Sequence, residues 1–83
     1  GYLVTDLAGV IREANRAAAA LLDRPTRYLV GKPVRVFVRP AHRPRLDRLL
    51  AQVAAEGTAR EEVELAGRDP AVTIALHVNA ARP

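Results

Sequence analysis

Thr5-Asp6-Leu7-Ala8-Gly9-Val10-Ile11, followed by Ala14-Asn15-Arg16-Ala17-Ala18-Ala19-Ala20-Leu21-Leu22, reads as a tight hairpin running into a capped helix. Tyr2 to Thr5 is a β-prone apolar run, and it ends in Asp6-Leu7-Ala8-Gly9. Asp at the first position of a turn and Gly at the fourth suit a type I turn, because the Asp side chain can accept hydrogen bonds from the backbone that follows. Val10 to Ala14 reads as the return strand of a hairpin. Asn15 then offers a side-chain oxygen to an orphan helical N–H. The four alanines behind it have the highest helix propensity of any residue. Their small side chains let the helix lie close to a sheet. Pro25 ends this helix at or before Arg24. It also starts a short further turn of helix, Pro25 to Val30, which Gly31 is placed to terminate in a left-handed conformation.

Beyond this stretch the pattern loosens and then becomes regular again. Val34, Arg35, Val36, Phe37, Val38 and Arg39 alternate apolar and basic residues, but prolines at 33, 40 and 44 bracket them. The spacing predicts an irregular connector with one buried anchor, Phe37. From Pro44 to Glu56 the period is helical: Leu46, Leu49, Leu50 and Val53 fall at i, i+3, i+4 and i+7. Gly57 is the stop. Thr58 to Ala66 alternates as a strand, Gly67-Arg68-Asp69-Pro70 is turn chemistry, and Val72 to Asn79 is the cleanest strand in the chain. Two hairpins with helices between them predict an α+β fold, an antiparallel sheet with its helices packed on one face.

Composition sets limits on function. The chain has 83 residues, 49% of them hydrophobic and 27% charged, which is ordinary for one small globular domain. The longest uninterrupted apolar run, Ala17 to Leu22, is far too short for a membrane span. Cysteine is absent, and so is serine. Disulfides, thiolate metal sites and both of the commonest hydroxyl or thiol nucleophiles are therefore excluded. The net charge is +4, and arginine supplies twelve of the thirteen basic residues. With sixteen alanines, this bias fits a high-GC bacterial source. The first residue is Gly1, and the chain is expected to be a piece of a longer protein.

The residues quoted above resemble a PAS domain, the sensory module of bacterial signalling proteins. Thr5 to Ile11 resembles the family's opening hairpin, and Ala14 to Leu22 its Asn-capped first helix. Leu29-Val30-Gly31-Lys32-Pro33 resembles the segment leading into its irregular centre. Glu62-Val63-Glu64-Leu65 and Val72 to Asn79 resemble its late strands. Two places depart from the pattern: Asp23 and Asp69-Pro70 stand where the family often has Gly and Asp-Gly. The resemblance also implies five strands, the last lying beside the first, whereas four are read here. The chain is therefore expected to be a single domain, 1–83, without the final strand. The first strand and the Val72–Asn79 strand would then lack their shared neighbour. Unpaired backbone groups there are costly, and the two strands must either close on each other or be covered by a second chain. The expectation is a homodimer, a habit the resemblance also implies. It further implies a cytoplasmic sensory and dimerisation module attached to an output domain. That output would be a histidine kinase of a two-component system, a cyclic-dinucleotide enzyme, a phosphatase or a transcription factor.

The chemistry-bearing residues do not assemble into an enzyme. His77 shares a strand face with Thr73 and Ala75, away from the apolar stripe. His42 stands among Arg39, Arg43 and Arg45, whose charges disfavour a cationic imidazole. Glu61, Glu62 and Glu64 are split between faces by strand alternation, so no metal site is expected. Gly31-Lys32 resembles the end of a phosphate loop, but Thr26 and Pro33 break the motif. No cofactor is expected either. The photosensory members of the family need a cysteine. The haem-binding members use a histidine on the long helix, where this chain aligns Leu46. Non-covalent flavin calls for aromatics, and the chain has only Tyr2, Tyr28 and Phe37. There remains an apolar space lined by Leu22, Phe37, Leu46, Leu50, Val53, Ile74 and Leu76. These bulky residues are expected to fill it as a core, with a small-molecule ligand as the alternative. A second function class is polyanion binding by a basic ridge of Arg35, Arg39, His42, Arg43, Arg45 and Arg48. The scarcity of aromatics argues against nucleic acid there.

Overall fold

The structure is a computed structural model, which describes residues 1–67 and 70–79. Arg68 and Asp69, at the centre of the expected late turn, lie outside the described residues. The elements follow in the order β1 (Tyr2–Thr5), β2 (Ile11–Ala14), α1 (Arg16–Leu22), α2 (Thr26–Leu29), α3 (Arg43–Glu56), β3 (Thr58–Glu64) and β4 (Thr73–Asn79). Two 3₁₀ turns, Val34–Phe37 and Pro40–His42, lead into α3.

The hairpin forms as its residues dictate. Asp6 Oδ1 accepts hydrogen bonds from the N–H groups of Ala8 at 2.9 Å and Val10 at 3.0 Å. Gly9 closes the turn at φ +80°, a conformation that a side chain would strain. The register then slips: Val4 faces Glu13 but Thr5 faces Ile11, so Arg12 is the extra residue of a bulge. The bulge turns Arg12 back to Asp6, and the two side chains form an ion pair at 2.9 Å. Burial pushes the Asp6 carboxyl up. The hydrogen bonds from Val10, Arg12 and Ala8, with the Arg12 charge, outweigh it and hold the group below its ordinary value.

Asn15 caps α1 as expected, with Ala18 N–H donating to its Oδ1 at 2.8 Å. The same oxygen accepts the N–H of Tyr2 at 3.0 Å. One amide oxygen therefore fastens the start of the helix to the start of β1. The helix ends at Asp23, which adopts the left-handed conformation (φ 55°) usually left to glycine. Gly31, at φ 92°, turns the chain back along β2, where Gly31 N–H donates to Ile11 O at 2.8 Å and Ile11 N–H to Lys32 O at 2.9 Å. The outer edge of β2 is thereby covered.

The sheet order is β2-β1-β4-β3. Its outer pairs are antiparallel, but β1 and β4 run parallel, with Leu3 opposite Leu76 and Val4 opposite His77. The sheet is therefore mixed, not wholly antiparallel. No strand lies between β1 and β4, and the open gap expected between them is closed by their direct pairing. The unpaired backbone groups from which a second chain was inferred are satisfied within this chain.

One face of the sheet carries the core. Leu3, Thr5, Ile11, Val63, Ile74, Leu76 and Val78 are buried there, together with Leu46, Leu49 and Val53 from α3. Leu29 and Ala18 add the contributions of α2 and α1. The connector differs from expectation: its buried anchors are Val34 and Val38, each 1% exposed, while Phe37 is only half-buried. The cause is the 3₁₀ turn. The chain leaves it at Val38 in an extended conformation and bridges to Leu65, which sends the Val38 side chain inward.

Candidate functional site

The end of α1 and the 3₁₀ turn at Val34–Phe37 converge on the chain just past β3. Leu22, Asp23, Arg24, Val36, Phe37 and Ala66 line a cleft of about 220 Å³ between them. Leu22, Val36, Phe37 and Ala66 give it apolar lining, and the neighbours Asp23 and Arg24 make the lining more polar than apolar in all. Asp23 is there because α1 stops in the left-handed conformation, and Arg24 reaches back to donate to Asp23 O at 2.8 Å. A shallower hollow of about 340 Å³ over Arg16, Ala19, Ala20 and Pro25 shares Asp23 and Arg24, so these two residues form the ridge between the two depressions. The Arg24 guanidinium also lies 5.8 Å from the ring of exposed Tyr28, and Lys32 Nζ lies 4.9 Å from it.

Of the seven residues proposed to line a ligand space, the structure brings Leu22 and Phe37 to this cleft. Leu46, Val53, Ile74 and Leu76 are packed into the core, each at most 2% exposed. Leu50 is half-buried and faces the hairpin, its Cδ1 lying 3.8 Å from where a Cβ on Gly9 would stand. Leu49, not Leu50, completes the buried stripe of α3 with Leu46 and Val53.

The basic ridge is divided. Arg35 binds Asp47 through both guanidinium nitrogens, at 2.6 and 3.4 Å. That hydrogen bond holds the Asp47 carboxyl below its ordinary value and raises Arg35. Arg39 binds Glu64 at 2.6 Å. This bond likewise lowers the Glu64 carboxyl, against a smaller upward push from burial and with help from the charges of His42, Arg39 and Arg45. Arg43, Arg45 and Arg48 make no ion pair with a described residue. Arg45 and Arg48 are exposed and Arg43 is half-buried, so the ridge is broken rather than a continuous stripe.

His42 and His77 stay far apart in role as well as in sequence. His77 is half-buried on the outer sheet face, edge-on to the Tyr2 ring at 5.5 Å. His42 Nδ1 accepts the backbone N–H of Glu64 at 3.1 Å, a tie between residues far apart in the chain that no local pattern marks. Among the described residues no three or more His, Cys, Asp or Glu side chains gather as they would around a metal. No described helix is long and apolar enough to cross a membrane.

A small α+β unit with three helices on one face of its sheet, and a cleft at the seam between helix and connector, has the build of a sensory module. The chain belongs to the PAS fold family, whose pattern it matches over residues 1–81. Members of this family are sensory modules of signalling proteins, and the domain itself is sensory, not catalytic. A comparison with curated proteins gives no match.

Proposed function

We propose that this chain is the sensory domain of a multidomain bacterial signalling protein, cytoplasmic, and coupled to an output domain such as a histidine kinase. The observation that carries this reading is the family match, which spans all the described elements. The cleft supports a mechanism. Its walls come from three separately connected segments: the end of α1, the 3₁₀ turn and Ala66 after β3. A small molecule with an apolar body and a polar end suited to Arg24 would press on all three at once. The resulting shift in packing would be the signal passed on.

Self-association belongs to the same proposal. The outer face of the sheet carries Tyr2, Val4, Ala75 and His77 in adjacent strands, all of them partly exposed. That strip and the family habit support a homodimer, in place of the gap between β1 and β4. Light scattering reads it directly: a concentration-independent monomer would refute the dimer. The sensory reading is tested in the natural protein. Leu76→Asp puts a charge in the core of this module, and the output activity should change severalfold while an isolated output domain does not respond. An output indifferent to the loss of the module would refute it.

A further inference from the structure

Among the described residues, an imidazole accepts one backbone hydrogen bond between distant segments. His42 ends the second 3₁₀ turn and opens α3, and its side chain is about one-fifth exposed. Its Nδ1 accepts the Glu64 N–H at 3.1 Å. An imidazole nitrogen that accepts must carry a lone pair, so the neutral ring bears its proton on Nε2. The Glu64 carboxylate is near but already engaged: Oε1 takes the Arg39 guanidinium at 2.6 Å, and Oε2 lies 3.8 Å from His42 Nε2. Arg45 on α3 adds its charge to that of Arg39 near Glu64, and Arg43 follows His42 in the chain.

We propose that His42 and Glu64 form a pH-sensitive latch between the connector and the edge of the sheet. The latch rests on this geometry and stands whether or not the sensory reading does. A second proton can enter the ring only at Nδ1. It sets an N–H against the Glu64 N–H, so the bond breaks and the ring must turn away. The imidazolium then competes with Arg39 for the Glu64 carboxylate. The main-chain bonds alongside, Arg39 N–H to Glu64 O and Ala66 N–H to Phe37 O, both 2.8 Å, contain no titrating group. The release is therefore local: the segment Pro40–His42 loosens from β3 while the bridge between Val38 and Leu65 holds.

Nitrogen-15 NMR tests this on the protein between pH 8 and pH 5, the interval in which imidazoles titrate. The His42 ring should be the Nε2–H tautomer at high pH. The Glu64 amide should shift with the same midpoint as the His42 ring. Its protection from exchange, corrected for the intrinsic rate, should fall about fivefold, as loss of one hydrogen bond requires. His42→Gln keeps an acceptor that cannot titrate, and should leave the Glu64 amide flat across the range. An Nδ1–H tautomer, a ring that stays neutral to pH 5, or a Glu64 amide that ignores the His42 titration would each overturn the latch. The tautomer and the shifts are read on the unmodified chain and decide the matter even where the variant does not fold.

Discussion

Removing the Asn15 side chain tests how the first helix is held to the sheet. In Asn15→Ala two N–H groups lose the same acceptor, that of Ala18 at 2.8 Å and that of Tyr2 at 3.0 Å. Loss of an N-cap costs about 1 kcal/mol. The Tyr2 bond is exposed, and water replaces part of it, so it adds roughly 0.5–1 kcal/mol. The total, about 1.5–2 kcal/mol, is a large share of a small domain's stability and corresponds to a fall in Tm of roughly 10 °C. Asn15→Asp keeps the accepting oxygen and should stay within about 0.5 kcal/mol of the parent chain. Urea titrations of the three proteins, compared at a common m-value, give the numbers. An alanine variant as stable as the parent would refute the double role of this oxygen. An aspartate variant as weak as alanine would do the same.

Four further outcomes follow from the same geometry. Val38→Ala should cost about 2 kcal/mol, since Val38 is 1% exposed and two methyl groups are lost from a packed site. Phe37→Ala should cost no more than this despite its larger side chain, and a calorimetric loss of roughly 4 kcal/mol for Phe37 would restore it as the anchor. Asp23→Gly should raise stability by about 0.5–1 kcal/mol by relieving the left-handed cap, and a lower Tm would count against that strain. The carboxyls of Asp6, Asp47 and Glu64 are all held below their ordinary values of 3.8, 3.8 and 4.5. Groups lowered in this way stabilise the fold above their ordinary values and lose that contribution as the pH falls through the folded ones. The melting temperature should therefore decline from about pH 4.5 downward, and less steeply in Asp6→Asn. Identical profiles for parent and variant would show that Asp6 plays no part.

What the sequence revealed was what neighbouring residues decide. The Asp6 turn, the Asn15 cap, the stripe of α3 and the alternation of β4 are each set within a few positions, and each appears where its residues predict. Asp23 was visible as a departure from the usual glycine, and the structure gives its consequence, a left-handed cap without glycine. The features that escaped depend on segments meeting from afar. The parallel pairing of β1 with β4 joins opposite ends of the chain, and no local pattern encodes it. Val38 outranks Phe37 because the chain leaves the 3₁₀ turn there in an extended conformation and bridges to distant Leu65. The candidate site was legible only in part. Hydrophobicity marks residues that prefer burial, but not which of them border a cleft, so Leu22 and Phe37 were grouped with residues that fill the core.

The pairing of β1 with β4 is the step that turns two hairpins into one sheet, and nuclear Overhauser contacts across it test the fold most directly. The parallel register predicts contacts from Leu3 to Leu76 and from Val4 to His77, with slowed amide exchange in both strands. Contacts of this kind absent from an otherwise folded chain, or β1 found against a different strand, would contradict the account.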